Sequence, residues 1–293
     1  MQSYTLFKNT PIRIHLSSLD NTAKMLAEFA DLVHLEPAED VGGIQVLIDS
    51  SEHSLAETDP IQQSLGQGET WRSFNVRNLI RVHQNPGKDR YLCELRPYPS
   101  SNPTQLVMWI LISMVINAVL ALLSDRLLLI HGALITDGDN GYLLTGPSGV
   151  GKSTAASRVP LPWYAPADDT VVAVSTPEGY MLYPLPTWSQ LDSDPRAFRP
   201  ADLNMPYRLS GVYFLEQSTM DAVEAIPPAD AIGRLFRNSY VLYHLNNSYF
   251  RDEDRLRCKT DVLMHVTRIL RQAPCEVLKV SREGRFWEQF PEG

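Results

Sequence analysis

The sequence has little cysteine: three residues, Cys93, Cys258 and Cys275. An odd number at these spacings builds neither a disulfide framework nor a zinc site. Buried or idle thiols in a reducing compartment are the expectation. Positive charge is also short, with 26 Lys and Arg against 34 Asp and Glu and a formal net charge of −8. A surface of that sign repels phosphate backbones, so no nucleic-acid partner is expected, although a local basic cleft is compatible with it. No internal repeat and no low-complexity tract stands out. The first residues, Met1 to Leu16, carry no basic-then-apolar leader, which points to the cytoplasm. His15, His34, His53, His83, His244 and His265 form no metal-ligand spacing. No nucleophile elbow accompanies the serines.

One apolar run stands out, from Leu106 to Leu123, about as long as the shortest membrane spans. It contains Ser113 and Asn117 and lacks a strongly basic flank to set an orientation. An Asn facing lipid is costly, whereas in a packed core it finds a partner. The run is therefore expected to be the central helix of a large domain and not a membrane span.

The chain has 293 residues, 44% of them hydrophobic, which suits one large domain or two ordinary ones and excludes wholesale disorder. In the first hundred residues, Arg13–Leu16 and Ile44–Ile48 read as strands and Ala23–His34 as a helix. Arg77–Val82 and Arg90–Leu95 read as a pair joined by the turn Asn85-Pro86-Gly87. The breaker cluster Pro97 to Pro103 sets a boundary between residues 1–102 and 103–293. Beyond the apolar helix, Leu127–Ile130 and Ala133–Ile135 read as strands, followed by a hairpin turn at Thr136–Gly141 and the strand Tyr142–Thr145. Thr170–Val174, Tyr180–Tyr183, Gly211–Leu215 and Glu276–Val280 are further strands. Asp230–Leu245 and Asp261–Arg271 are further helices. Hairpins interleave with helices, so a mixed sheet with helices packed on it is expected, not a fully parallel one.

Residues 146–154 read Gly-Pro-Ser-Gly-Val-Gly-Lys-Ser-Thr. This is the phosphate-loop spacing, G-x-x-x-x-G-K followed by Ser or Thr, between an expected strand and an expected helix. A chance match in such a chain is on the order of 1 in 100. Gly146, Gly149 and Gly151 let the backbone curl. The amides of Ser148, Gly149, Val150, Gly151, Lys152, Ser153 and Thr154 can then point inward at phosphate oxygens. Pro147 has no N–H to offer. Lys152 reaches the outer phosphates, and the Ser153 hydroxyl suits Mg²⁺, which prefers oxygen ligands. Pro160 and Pro162 are expected to end the following helix early. A nucleoside triphosphate with Mg²⁺ is thus the expected ligand.

Phosphoryl transfer also needs carboxylates. Asp168-Asp169, at a loop–strand junction soon after the loop, is the best candidate: one to hold Mg²⁺ and one to accept a proton from an attacking hydroxyl. His131 precedes the loop by one hairpin, and position alone leaves it either a core histidine or a member of the site. Arg158, Arg196, Arg199 and Arg208 are candidates for an assisting charge, with nothing to select among them.

The stretch from Ile130 to Val174 carries His131-Gly132, a hairpin, the loop Gly146–Thr154 and Ala167-Asp168-Asp169. In this it resembles the HPr kinase/phosphorylase family and its wider HPr kinase-like relatives. The resemblance implies an α/β fold: a P-loop kinase core with a mixed sheet, similar to phosphoenolpyruvate carboxykinase, behind a smaller α+β N-terminal domain. It implies ATP and Mg²⁺ as cofactors, Asp168 as the base acting on a serine hydroxyl, Asp169 with Ser153 at the metal, and His131 tuning the site beside catalytic Lys152. The family's later signature containing Glu and Arg has no counterpart. Pro184–Ser189 stands roughly in its place, so HPr itself and the reverse phosphorolysis are not implied. The overall length and the apolar helix before His-Gly are similar to the ScmC proteins of the SynChlorMet peptide-maturation cassette, which implies a serine on a small ribosomal peptide as acceptor. The expected function is an ATP-dependent kinase acting on a Ser or Thr hydroxyl of a peptide or small protein. The alternatives are a nucleotide-dependent peptide-binding or chaperone ATPase without kinase activity, and a small-molecule kinase. A homo-oligomer is left open.

Overall fold

A computed structural model describes residues 3–7, 10, 12–18, 20–38, 42–49, 71–76, 79–95, 105–185, 202–246 and 252–291. The chain divides into two compact units, Met1–Leu122 and Leu123–Gly293. The division therefore falls after the apolar helix and not near residue 102. The breaker cluster at 97–103 lies outside the described residues.

The first unit is built on a seven-stranded sheet. In it β1 (Ser3–Leu6) pairs antiparallel with β2 (Ile14–Ser18), and β3 (Glu36–Pro37) flanks β1. β2 runs parallel to β4 (Ile44–Asp49), and β5 (Arg72–Val76) and β6 (Ile80–Gln84) form one edge. β7 (Arg90–Leu95) joins β4 to β6. The β6–β7 turn is held by Asn85, whose side-chain oxygen accepts the amides of Asp89 and Arg90 at 3.1 and 3.0 Å. Helix α1 (Asp20–Leu32) buries Leu26, Phe29 and Ala30. The apolar helix α2 (Gln105–Leu122) packs on α1, β6 and β7. Its consecutive residues Ala118, Val119, Leu120 and Ala121 are all buried, which covers every face of a turn and accounts for a helix that is apolar all round. Among the described residues, no helix is long and apolar enough to cross a membrane.

The second unit carries an eight-stranded sheet. Its strands are β8 (Leu127–Thr136), β9 (Asn140–Thr145), β10 (Tyr164–Ala167), β11 (Thr170–Thr176), β12 (Gly179–Pro184), β13 (Tyr207–Gln217), β14 (Ala222–Ala225) and β15 (Cys275–Val280). The pairing closes on itself, from β8 to β11, β12, β13, β9 and back to β8. Only β13 has parallel neighbours, β9 and β15; the other pairs are antiparallel. The protein is thus mixed α/β with two large sheets. Helix α3 (Lys152–Ala156) follows β9, and α4 (Pro228–Asn246) and α5 (Asp252–Gln272) pack on each other. Buried Tyr243 clips α4 to β8: its hydroxyl accepts the Leu129 amide at 2.8 Å and donates to the Leu127 carbonyl at 3.4 Å. The three cysteines are free, and burial pushes the Cys258 thiol up to about 12, so it stays an inert thiol.

β8 is one strand of ten residues, not two short ones parted at His131-Gly132. The glycine continues the ladder: its amide donates to the Asp169 carbonyl at 2.9 Å, and it lies opposite Thr145 of β9. A Cβ placed on Gly132 would stand 2.8 Å from the Leu144 carbonyl oxygen. Gly132 is there for close backbone approach, not to end a strand. Gly132→Ala is expected to destabilise the second unit by about 1–3 kcal/mol, read as a lower urea midpoint. An unchanged midpoint would mean that the β8–β9 spacing gives way freely.

Candidate functional site

β9 leads directly into the glycine-rich loop. Tyr142, Leu143, Leu144 and Thr145 are buried, and the Thr145 hydroxyl donates to the His131 carbonyl at 3.0 Å. This central strand, flanked by β8 and β13, fixes where Gly146 begins. Gly149 has φ +80° and Gly151 φ +102°, the left-handed region that suits glycine. A Cβ on Gly149 would meet nothing within 4 Å, so the loop is open at that point, while the Val150 amide donates to the Pro147 carbonyl at 3.3 Å within the loop. Helix α3 is only five residues long, in keeping with the prolines beyond it, and its Ala155 and Ala156 pack with Tyr142, Tyr213, Phe286 and Phe290.

Lys152 is 5% exposed and folds back across the loop, its Nζ donating to the carbonyls of Gly146 at 2.9 Å and Pro147 at 3.1 Å. Burial lowers the pKa of this ammonium below the ordinary lysine value, and the charge of Asp169 opposes the shift. The Ser153 hydroxyl sits above the acid pair, 3.4 Å from the Asp168 carbonyl oxygen.

Asp168 and Asp169 join β10 to β11 where both run beside β8, Ala167 being paired with Leu134 and Thr170 with His131. His131 Nδ1 lies 3.2 Å from the Asp169 carboxylate and 3.2 Å from its carbonyl oxygen. Both neighbours are acceptors, so Nδ1 carries the hydrogen. The Thr170 hydroxyl donates to the other Asp169 oxygen at 3.3 Å. Burial alone pushes the Asp169 carboxyl up. The hydrogen bond and charge of His131, the Thr170 hydroxyl and the Lys152 ammonium outweigh it and leave the pKa lowered. Asp169 thus contributes stability above its unfolded pKa and loses it as pH falls through the lower folded value. His131→Ala is expected to move the Asp169 titration to higher pH, with acid unfolding beginning earlier. Carboxyl-carbon NMR reads the titration, and an unmoved curve would show that the ring does not hold the carboxylate.

Among the described residues there is no group of three or more His, Cys, Asp or Glu able to hold a metal ion. What stands here is one hydroxyl and one ionised carboxylate, both oxygen donors. That set suits a hard cation whose remaining ligands come from phosphates and water.

Beside the loop lies a cavity of about 570 Å³. Its walls are Gly146–Val150, the β13 end Phe214–Gln217, and Arg234, Arg237 and Asn238 of α4. Lys152, Ser153, His131 and the acid pair do not line it. Arg234 pairs with Glu216 at 2.6 Å, and Gln217 Nε2 donates to the Val150 carbonyl at 3.4 Å. Sequence reasoning missed these residues. The one signal was the i, i+3, i+4 spacing of Arg234, Arg237 and Asn238 on an expected helix, which no local pattern ties to the loop. The arginines singled out from sequence lie elsewhere. Arg158 is structural, bonding the carbonyls of Ser281 and Gly284 and lying 5.7 Å over the Phe286 ring. Arg208 pairs with Asn140, at the end of β9 far from the loop. Arg196, Arg199 and Pro186–Ser189 lie outside the described residues.

The second unit is thus a mixed α/β body in which a glycine–lysine loop lines an arginine-bearing cavity and its Ser153 meets the Asp168-Asp169 junction that carries the histidine–aspartate pair. The chain belongs to the ScmC family: the family model described as SynChlorMet cassette protein ScmC matches residues 91–292. The match takes in β7, α2 and nearly all of the second unit and leaves out most of the first sheet. No curated protein matches the chain.

Proposed function

We propose that this protein is a cytoplasmic, HPr kinase-like phosphotransferase that moves the terminal phosphoryl group of ATP to a Ser or Thr hydroxyl of a peptide or small protein. The observation that carries the reading is the convergence of buried Lys152, Ser153 and the His131–Asp169 pair on one glycine-rich loop that is open at Gly149. Loop amides and the Lys152 ammonium bind the phosphates. Ser153 and Asp169 hold Mg²⁺, which neutralises charge on the phosphate oxygens. Asp168 accepts the proton of the acceptor hydroxyl as its oxygen bonds to phosphorus and the bond to the departing ADP oxygen breaks. His131 keeps Asp169 ionised and aimed. The family match names a SynChlorMet cassette, and the resemblance to peptide-maturation proteins favours a ribosomal peptide as the acceptor.

The test is incubation with radiolabelled ATP, Mg²⁺ and precursor peptides. Label on a peptide serine or threonine is the expected result. Free phosphate without labelled peptide would replace the kinase with a peptide-binding ATPase, and label on a small acceptor would replace the peptide.

A further inference from the structure

We propose that Arg237 is the guanidinium that binds the terminal phosphate of the nucleotide, reaching it from the cavity side of the loop. This rests on the reading of the loop as the triphosphate site and adds to it a residue that the motif does not contain.

Three observations carry it. The first is the composition of the cavity walls. One wall is main chain, the first half of the loop, and it faces a helix surface bearing Arg234, Arg237 and Asn238. β9 and β13 are parallel, with Thr145 beside Phe214, so both strands deliver their carboxyl ends to this cavity.

The second is the charge balance. Arg234 is committed: its guanidinium lies 2.6 Å from Glu216 and 6.0 Å over the Phe214 ring. Arg237 stands one turn further along the same helix face, and among the described residues it makes no hydrogen bond or ion pair. Arg234 and Glu216 cancel, so the cavity keeps one net positive charge, and it belongs to Arg237. A surface arginine without a partner is ordinary. One placed across a cavity from a loop of backbone amides faces an anion site, and its planar fork matches two phosphoryl oxygens.

The third is the placement of Lys152. Its ammonium is held by the Gly146 and Pro147 carbonyls, and Lys152 is not among the residues that line the cavity. Arg237 would thus be a second cation, separate from Lys152, for charge spread over three equatorial oxygens. The Arg234–Glu216 pair ties α4 to the end of β13 and so positions Arg237; it does not itself need to touch the nucleotide.

Calorimetric titration of the full chain with ATP and with ADP, in Mg²⁺, tests this in the parent, Arg237→Ala and Arg237→Lys. Arg237 is an exposed side chain, so the substitutions leave the fold intact. The expected result is a loss of about 10- to 100-fold in ATP affinity for Arg237→Ala, no change for ADP, and partial recovery in Arg237→Lys. If Arg237→Ala binds both nucleotides as the parent does, or loses both equally, the proposal is overturned while the loop reading stands. A parent protein that binds neither nucleotide overturns both. Selective loss of ATP in a protein that labels no acceptor upholds Arg237 and overturns the kinase.

Discussion

Lys152→Ala is expected to lower phosphoryl transfer by roughly 10²- to 10³-fold while shifting the melting temperature by no more than about 3 °C. The two halves of this expectation have different causes. In function, the proposed role of the ammonium is that of a preorganised charge at the phosphates, which no other side chain of the loop can supply. In stability, two effects oppose each other. The group is 5% exposed and burial depresses its pKa, so the fold carries a desolvated cation whose removal is favourable. Its loss also deprives the Gly146 and Pro147 carbonyls of the donor they now share. An orphaned buried acceptor costs about 1–3 kcal/mol, enough to offset much of the gain. A structural lysine would behave in the opposite way, with a falling melting temperature and unchanged chemistry. Label transfer and thermal melting on the same preparation separate the two, and a variant that melts early yet transfers normally would take Lys152 out of the site.

The contrast between what local sequence reveals and what it hides follows the range of the interactions. The loop was legible because its chemistry is contiguous: Tyr142–Thr145 as a buried strand, two glycines at positive φ and prolines that stop α3 after five residues. The placement of His131 near Asp169 was half legible, since a β8–β9 hairpin brings His131 to the loop but only the β8–β11 pairing brings it to the carboxylate. Gly132 misled, because a glycine between apolar runs reads as a breaker, and the close approach to Leu144 that requires it is a long-range fact. The first turns of α5 were missed for another reason. Asp252 to Lys259 is almost wholly polar, and its helix rests on the acidic first turn and the Arg255–Asp252 and Arg257–Asp254 pairs, not on apolar periodicity. α2 was read as a core helix, but which core it joins is decided by β6 and β7, which precede it across the breaker cluster. The arginine-bearing wall of the cavity was beyond reach for the same reason, since only the sheet order sets α4 and the β13 end beside the loop.

Asp168→Asn is expected to reduce transfer by about 10²- to 10⁴-fold with nucleotide affinity unchanged, whereas Asp169→Asn is expected to weaken the Mg²⁺ dependence of ATP binding. Neighbouring carboxylates are easily treated as equivalent, and the geometry separates them. Asp169 accepts from His131 at 3.2 Å and Thr170 at 3.3 Å, and its pKa is held down. A carboxylate so stabilised is a poor proton acceptor and a good anionic ligand, because every bond that keeps it ionised lowers its basicity. Asp168 meets the Ser153 hydroxyl through its main-chain oxygen, at the same edge of β8 and β11, and the His131 contact is with Asp169. On the proposed kinase reading, general-base work is assigned to Asp168 and metal holding to Asp169, a division that adjacent letters in the sequence leave open. Single-turnover transfer measures the first role, and ATP titration across a Mg²⁺ series measures the second. If Asp168→Asn transfers at the parent rate while Asp169→Asn is dead with normal Mg²⁺ dependence, the two assignments must be exchanged. In that event His131 would be orienting a base, not a metal ligand.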